Sequence, residues 1–250
     1  MASQTWFPKH LVSPNLKIKL DRKEWIMMEK LSEHDFQKDE NDLREGSDPS
    51  FSCIRLRCRS RDSGTPAFMR IYMQIPLAGA GIQLPQACSF IPDELTVLRT
   101  MTEHGCKHPP LLLDCKEASQ DESGLVRGGF ITWIVYEIVP GVRLGDVTGA
   151  DRFWNLRREE RREIQKALPE AYGKMISNGF YPAFEGADNL VWDSVNKHLY
   201  FVGFRLCNEA VPPCDKWRPG LYAVFSVAKP PSGSHWYLPT WDGNMRGWEW

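Results

Sequence analysis

The sequence predicts an α+β fold, with an antiparallel sheet in the N-terminal part and a reduced helical part after it. Residues 54–59 alternate apolar side chains with arginines, which is the period of a half-buried strand. Gly64-Thr65-Pro66 is a typical turn, and residues 68–75 alternate in the same way, so the two segments predict a hairpin. Residues 159–177 place apolar side chains on one face of a long helix.

A shorter helix is predicted between these regions. Pro92 stands where a first helical turn would begin, apolar residues recur every three positions over 95–101, and Gly105 stands where the helix would end. Glu94 falls in the first turn, where the helix dipole favours a carboxylate. The sequence pattern around Glu94 therefore fits a structural role in the helix as well as it fits a functional role.

Further strands are predicted on both sides of the long helix. Two apolar runs, 111–115 and 130–139, are joined by a polar turn at 120–124, and Pro140-Gly141 ends the second run. After the long helix, an irregular loop leads to two short strands.

The C-terminal tail is rich in proline and tryptophan. We expect it to pack on the domain, because so many exposed rings would form an adhesive patch. Half of the ten tryptophans lie there: Trp217, Trp236, Trp241, Trp248 and Trp250.

These elements divide the chain into two predicted domains. The first covers residues 1–139 and includes an exposed loop at 35–50, which is dense in charged residues and poor in apolar ones. The second covers residues 140–250 and ends in the tail.

The amino-acid composition argues against some classes of binding partner for this protein. The 31 basic and 32 acidic residues nearly cancel, which argues against nucleic acid and against an anionic membrane. The first thirty residues carry charges throughout, and the most apolar stretch, 129–142, is interrupted by Glu137 and too short to span a bilayer. Seven scattered cysteines fit reduced thiols. We therefore expect a cytoplasmic protein with no membrane or nucleic-acid partner.

One group of potential metal ligands is present. His104, Cys106, His108 and Cys115 have suitable side chains, but their spacing matches no standard zinc site and Pro109-Pro110 interrupts them. We predict an ordinary loop and no metal.

The order of elements resembles the kinase-like fold, which has two lobes. The resemblance is to the aminoglycoside phosphotransferase branch and to the kinase-like hypothetical proteins common in filamentous fungi. It covers about residues 50–206 and is carried by 67–70, Glu94, 135–141, 186–190 and 200–205. It implies a protein-kinase-like fold with an antiparallel N-lobe sheet and a reduced helical C-lobe.

The resemblance also implies roles for particular residues. Arg70 stands where the family has the strand lysine that pairs with nucleotide phosphates, and Glu94 matches the helix glutamate that holds this cation. Residues 137–141 match the hinge between lobes. Asn189 matches the metal-binding asparagine that ends the catalytic loop.

The sequence departs from the family pattern at the residues that catalyse phosphoryl transfer. In the family motif H-G-D-x-x-x-x-N, the aspartate lies five residues before the asparagine, and this position is Phe184 here. The second metal-binding aspartate is replaced by Gly203, and Arg205 adds a positive charge nearby. Phosphoryl transfer needs magnesium and a carboxylate that orients the attacking hydroxyl. Neither phenylalanine nor glycine supplies these functions.

We therefore expect a pseudokinase-like protein without phosphotransfer activity and without a cofactor. Its partner would be a small molecule in the interlobe cleft or another protein. One alternative is an enzyme that reuses the cleft for metal-free cyclisation, isomerisation or elimination in fungal secondary metabolism. A second is an atypical small-molecule kinase with relocated carboxylates at Glu185, Asp188 or Asp193. The candidate catalytic residues are Arg70, Glu94, Tyr181, Glu185, Asn189 and Arg205.

Overall fold

The structure is a computed structural model that describes residues 5–79, 87–183, 185–211 and 215–250. It is a mixed α/β structure and divides into two compact units. The first unit contains the chain up to Leu95 together with Leu112–Ile138. The second contains Thr96–Leu111 and Val139–Trp250. Residues 96–111, which the sequence assigns to the N-terminal domain, thus belong to the second unit.

The first unit is built on a six-stranded antiparallel sheet with the strand order β1-β2-β3-β4-β6-β5. Its strands are β1 (Lys17–Lys19), β2 (Glu24–Phe36), β3 (Phe51–Ser60), β4 (Pro66–Gln74), β5 (Leu112–Ser119) and β6 (Phe130–Glu137). The predicted hairpin is confirmed: β3 pairs with β4, and Leu56 lies opposite Met69. The predicted pair β5–β6 is also present and antiparallel.

The segment 35–50 is mostly exposed, but it contains regular structure. It includes the end of β2 and a short helix, α1 (Glu40–Arg44). Asp39 caps this helix, since its side chain accepts hydrogen bonds from the backbone N–H groups of Asn41 and Asp42. Local capping thus orders a segment whose composition predicted only a loop.

The sheet presents two different faces. Alternate residues of β3 and β4, with Trp133 of β6, form an apolar face that is buried in a single cluster with Phe7 and Trp25. The opposite face carries Arg70, and we call it the Arg70 face. On β3, Arg57 and Arg59 are exposed as the alternation predicts, whereas Arg55 is partly buried.

The second unit contains most of the helical structure. Helix α2 (Asp93–Glu103) begins in the first unit and continues into the second. The remaining elements are α3 (Asp151–Trp154), α4 (Arg158–Ser177), α5 (Leu221–Val224), β7 (Val142–Arg143), β8 (Phe180–Pro182), β9 (Leu190–Asp193), β10 (His198–Phe201) and β11 (Cys207–Glu209). Strands β10, β9 and β7 form one small antiparallel sheet, and β8 pairs with β11.

The long predicted helix is confirmed as α4, and it continues through Pro169. Its buried side includes the apolar stripe predicted from the sequence. The C-terminal tail packs on the helices: Gln165 Nε2 donates to the carbonyl oxygen of Val227 at 2.7 Å, and Trp154 Nε1 donates to that of Ser226 at 3.1 Å. Within the described residues, no helix combines the length and the apolar character needed to cross a membrane.

Candidate functional site

A buried ion pair links β4 to the start of α2. Arg70 Nη1 donates a hydrogen bond of 2.9 Å to Glu94 Oε1. The two residues are only 7% and 3% exposed. The sequence predicted that these two side chains would meet, and the structure confirms this contact.

Tyr72 completes the contact and was not singled out from the sequence. Its hydroxyl donates a 2.9 Å hydrogen bond to Glu94 Oε2, so each carboxylate oxygen of Glu94 has a donor. Tyr72 follows Arg70 by two positions on β4, which places both side chains on the Arg70 face. The alternation of side chains along β4 could have identified Tyr72 from the sequence, because residues two positions apart share a face.

Burial and charge fix the protonation states of this network. Burial alone would lower the pKa of Arg70, but the Glu94 carboxylate reverses this effect and raises it well above its ordinary value. Burial, and then Glu94, raise the pKa of Tyr72 well above its ordinary value. Burial raises the pKa of the neighbouring Tyr136 to about 12. Arg70 therefore remains cationic and both tyrosines remain neutral at physiological pH.

A second contact, in the second unit, brings Asn189 against Gly203. Asn189 ends a 3-10 helix (Ala187–Asn189), and its carbonyl oxygen accepts the Val202 N–H at 2.8 Å. Gly203 has φ +91°, and a Cβ added there would lie 2.1 Å from Asn189 Oδ1. A side chain at position 203 would therefore collide with the Asn189 amide and strain the backbone.

A third cluster, also in the second unit, surrounds Glu185. The Tyr172 hydroxyl donates to Glu185 Oε1 at 3.4 Å, and the rings of Tyr172 and Tyr181 are 6.3 Å apart. Burial raises the pKa of Glu185, although Tyr172 and Arg218 partly oppose this. Burial also raises the pKa of Tyr181, with smaller contributions from negatively charged neighbours that include Glu185. The structure thus brings the candidates Tyr181 and Glu185 together around Tyr172, which the sequence analysis missed.

The other candidate residues from the sequence, Asp188, Asp193 and Arg205, lie elsewhere in the second unit. Asp193 is 3% exposed, and its carboxylate accepts hydrogen bonds from the backbone N–H groups of Val195 and Asn196, so it holds a turn. Asp188 lies within the 3-10 helix and is partly exposed. Arg205 is partly buried in the turn that precedes β11. Phe184 lies outside the described residues.

The histidines of the possible metal group have other contacts. His108 Nδ1 lies 2.9 Å from the carbonyl oxygen of Leu199, and His104 Nδ1 lies 3.1 Å from Asn178 Oδ1. Across the part of the chain that the structure describes, no three His, Cys, Asp or Glu side chains are grouped to hold a metal ion.

Asp114 is a buried carboxylate that the sequence analysis did not single out. It is 1% exposed and accepts hydrogen bonds from Trp25 Nε1 and from the backbone N–H groups of Arg22, Lys23 and Cys115 at 2.9–3.1 Å. Its partners belong to the β1–β2 connection, to β2 and to β5. These contacts assign it to stabilisation of the first unit rather than to a binding site.

No family model matches the sequence, and no curated protein matches it. Among solved structures, the chain is similar to the kinase PK-1 of the Cydia pomonella granulovirus, with 14% identity and a TM-score of 0.45. The similarity covers 74% of this chain and 52% of the viral chain, so this chain spans about half the length of that kinase.

Proposed function

We propose that this chain is a pseudokinase-like protein, of kinase-like fold but without phosphotransfer activity. In this role it binds a small molecule or a protein partner. The order of its elements and the Arg70–Glu94 pair support the kinase-like assignment, since both follow the family pattern described above.

The observation that carries the absence of phosphotransfer is Gly203 itself, which offers no carboxylate where the family pattern has an aspartate. Magnesium requires near-octahedral oxygen coordination, and carboxylates normally supply the protein ligands beside the phosphates. A carboxylate at position 203 would need space that Asn189 Oδ1 occupies, and a backbone conformation that favours glycine. Asn189 itself offers only a neutral amide.

The Arg70 network supports the same conclusion. In the kinase pattern the strand cation must remain available to nucleotide phosphates while the helix glutamate orients it. Here the cation is an arginine, whose planar guanidinium differs from a lysine ammonium in geometry and hydration. It is 7% exposed and paired with a carboxylate that Tyr72 also binds. This arrangement favours a structural link over phosphate binding.

One observation favours a second candidate function, an enzyme with metal-free chemistry. Glu185 is partly buried beside two tyrosines, and burial raises its pKa above that of a free glutamate, a shift that is common among carboxyl groups that act as general acids or bases. Such a group could catalyse a cyclisation, isomerisation or elimination. A role in fungal secondary metabolism is proposed only for this second candidate function.

An atypical kinase is less well supported by the same side chains. The carboxylate of Asp193 is occupied by its own turn, and that of Glu185 by the Tyr172 hydroxyl. Either residue would have to leave these contacts before it could bind magnesium.

An assay of ADP release from magnesium-ATP tests the proposal. We expect the purified chain to release no ADP above a protein-free control, with or without a panel of hydroxylated small molecules. ADP release that is lost on Glu185→Gln but kept on Glu209→Gln, a change at an exposed carboxylate of β11, would replace the proposal with the atypical kinase.

A further inference from the structure

A pocket of about 520 Å³ lies within the first unit, between residues 5–11 and the apolar face of the sheet. We call residues 5–11 the strap. The sheet side of the pocket is formed by Met73, Ile131 and Trp133, and Met73 lies opposite Ile131 in the β4–β6 pairing. Because side chains alternate along a strand, this pocket is on the other face of the sheet from Arg70.

The strap is anchored at its N-terminal end. Thr5 Oγ1 and the Trp6 backbone N–H each donate to a different oxygen of Glu33 on β2, at 2.8 and 2.7 Å. Burial alone would raise the pKa of Glu33, but Lys30 and these two donors lower it overall, so the anchor is ionised at neutral pH. Farther along, Leu11 N–H donates to the Pro8 carbonyl oxygen at 2.9 Å. A hydrogen-bonded turn therefore forms one side of the pocket, which stays open to solvent on another.

The walls of the pocket suit a flat apolar molecule. Trp6, Phe7 and Trp133 contribute aromatic surface, and the volume lies within the usual range of small-molecule sites.

The rim of the pocket carries one cationic side chain, Lys9, that can bind an anionic group. Lys9 lines the pocket, is exposed, and forms no ion pair with any residue that the structure describes. Asp121 also lines the pocket and remains ionised, because its carboxylate accepts hydrogen bonds from the backbone N–H and the hydroxyl of Ser123, at 2.9 and 2.7 Å, which lower its pKa. His10 lies close enough to Asp121 to act on it electrostatically. The ammonium of Lys9 is therefore the group at the rim that can pair with a ligand carboxylate, against the opposing charge of Asp121.

We propose that the pocket beneath the strap binds a flat aromatic small molecule that carries a carboxylate. The aromatic part lies against Trp6, Phe7 and Trp133, and the carboxylate lies at the rim beside Lys9. The proposal does not depend on the kinase-like assignment, since every residue involved belongs to the first unit, either to the strap or to the apolar face of the sheet.

The test uses 2-naphthoate as the probe and its neutral amide, 2-naphthamide, as the charge control. Binding to the full chain is measured by calorimetry, and the site is located by backbone amide shifts in NMR spectra. We expect saturable binding of 2-naphthoate, with shift changes at 6–11 and 119–125. Lys9→Gln should weaken it about three- to fivefold, as expected for one solvent-exposed ion pair, and should leave 2-naphthamide binding unchanged.

Two further variants complete the test. Lys17→Gln removes an exposed lysine from β1, outside the pocket, and should not change binding. Leu125→Glu places a carboxylate at the rim, on a side chain that is 45% exposed, and should weaken 2-naphthoate more than 2-naphthamide. Absence of saturable binding at millimolar 2-naphthoate, shift changes confined to other regions, or equal losses in the Lys9 and Lys17 variants would overturn the proposal.

Discussion

Arg70 donates a 2.9 Å hydrogen bond from Nη1 to Oε1 of Glu94, and both side chains are withdrawn from solvent. This contact ties β4 of the sheet to the first turn of α2. A buried ion pair stabilises a fold only modestly overall, because desolvation offsets most of the attraction. Loss of one partner is different, since it leaves an uncompensated charge in the interior.

The first prediction concerns this ion pair. Arg70→Met should lower the free energy of unfolding by about 3–5 kcal/mol, because Glu94 then keeps only the Tyr72 hydroxyl as a donor. Urea denaturation followed by circular dichroism measures the loss. The double variant Arg70→Met/Glu94→Leu should recover part of it, since no buried charge remains.

An exposed pair in the same unit provides the matched control. Arg44 and Glu40 of α1 form an ion pair in which the side chains are 74% and 45% exposed. Arg44→Gln should cost less than about 1 kcal/mol. Equal costs for Arg70→Met and Arg44→Gln would contradict the structural role assigned to the buried pair.

The second prediction concerns the contact between Gly203 and Asn189. Gly203→Ala should lower the free energy of unfolding by about 1–3 kcal/mol, because φ is +91° and the new methyl group meets Asn189 Oδ1. In an Asn189→Ala background the steric part disappears, so the same change should cost less. A double-mutant cycle in urea measures this coupling. If Gly203→Ala costs the same in both backgrounds, Asn189 does not restrict position 203.

The third prediction concerns the pH dependence that Glu185 contributes. Its pKa is raised in the folded state from the ordinary value of 4.5, chiefly by burial. Below that value both the folded and the unfolded chain hold the proton. As the pH rises, the unfolded chain releases its proton first. The free energy of unfolding therefore decreases until the pH exceeds the folded-state pKa of Glu185.

Glu185→Gln should remove this dependence. Relative to the variant, the unsubstituted chain should therefore become less stable as the pH rises from the ordinary glutamate value of 4.5 through the raised folded-state pKa, as measured by urea midpoints at successive pH values. Glu209→Gln, at an exposed carboxylate of β11, serves as the control and should not change the profile. A profile of the Glu185 variant parallel to that of the unsubstituted chain would show that the carboxyl group is well solvated.

The fourth prediction concerns Asp114. Asp114→Ala should lower the free energy of unfolding by more than about 3 kcal/mol, because it leaves the Trp25 indole and backbone N–H groups without their acceptor. Asp146→Ala, at an exposed turn where the carboxylate binds Thr148, should cost about 1 kcal/mol or less. Thermal unfolding by calorimetry compares the two variants. Similar melting temperatures would mean that solvent replaces the Asp114 contacts.

The parts of the fold that the sequence predicted are those with an unbroken period. Residues 54–59 of β3 alternate between buried and more accessible positions, and α4 keeps one apolar face from Ile164 to Ile176, so the local sequence pattern was sufficient to predict them. The thirteen-residue strand β2 was missed. Its pairing with β3 shifts register between Met27 and Glu29 and again between Lys30 and Ser32, which breaks the alternation.

The candidate site was predictable to a similar extent. The Arg70–Glu94 contact followed from the order of elements, and Tyr72 could have been added from the strand period. The contact between Asn189 and Gly203 depends on a positive φ and on the turn after β10, which composition does not encode. Tyr172 lies within an apolar helical stripe, and only the path of the chain through Tyr181 brings Glu185 to it.

The most direct test of the central claim is a thermal-shift titration of the chain with ATP, with and without magnesium. If the chain lacks a metal-binding nucleotide site, magnesium will not increase any stabilisation that ATP produces, and the melting temperature in magnesium-ATP will match that in ATP with a chelator. A magnesium-dependent rise in melting temperature that Glu185→Gln abolishes and Glu209→Gln retains would contradict the claim, since it would identify a working metal ligand in a site where we predict none.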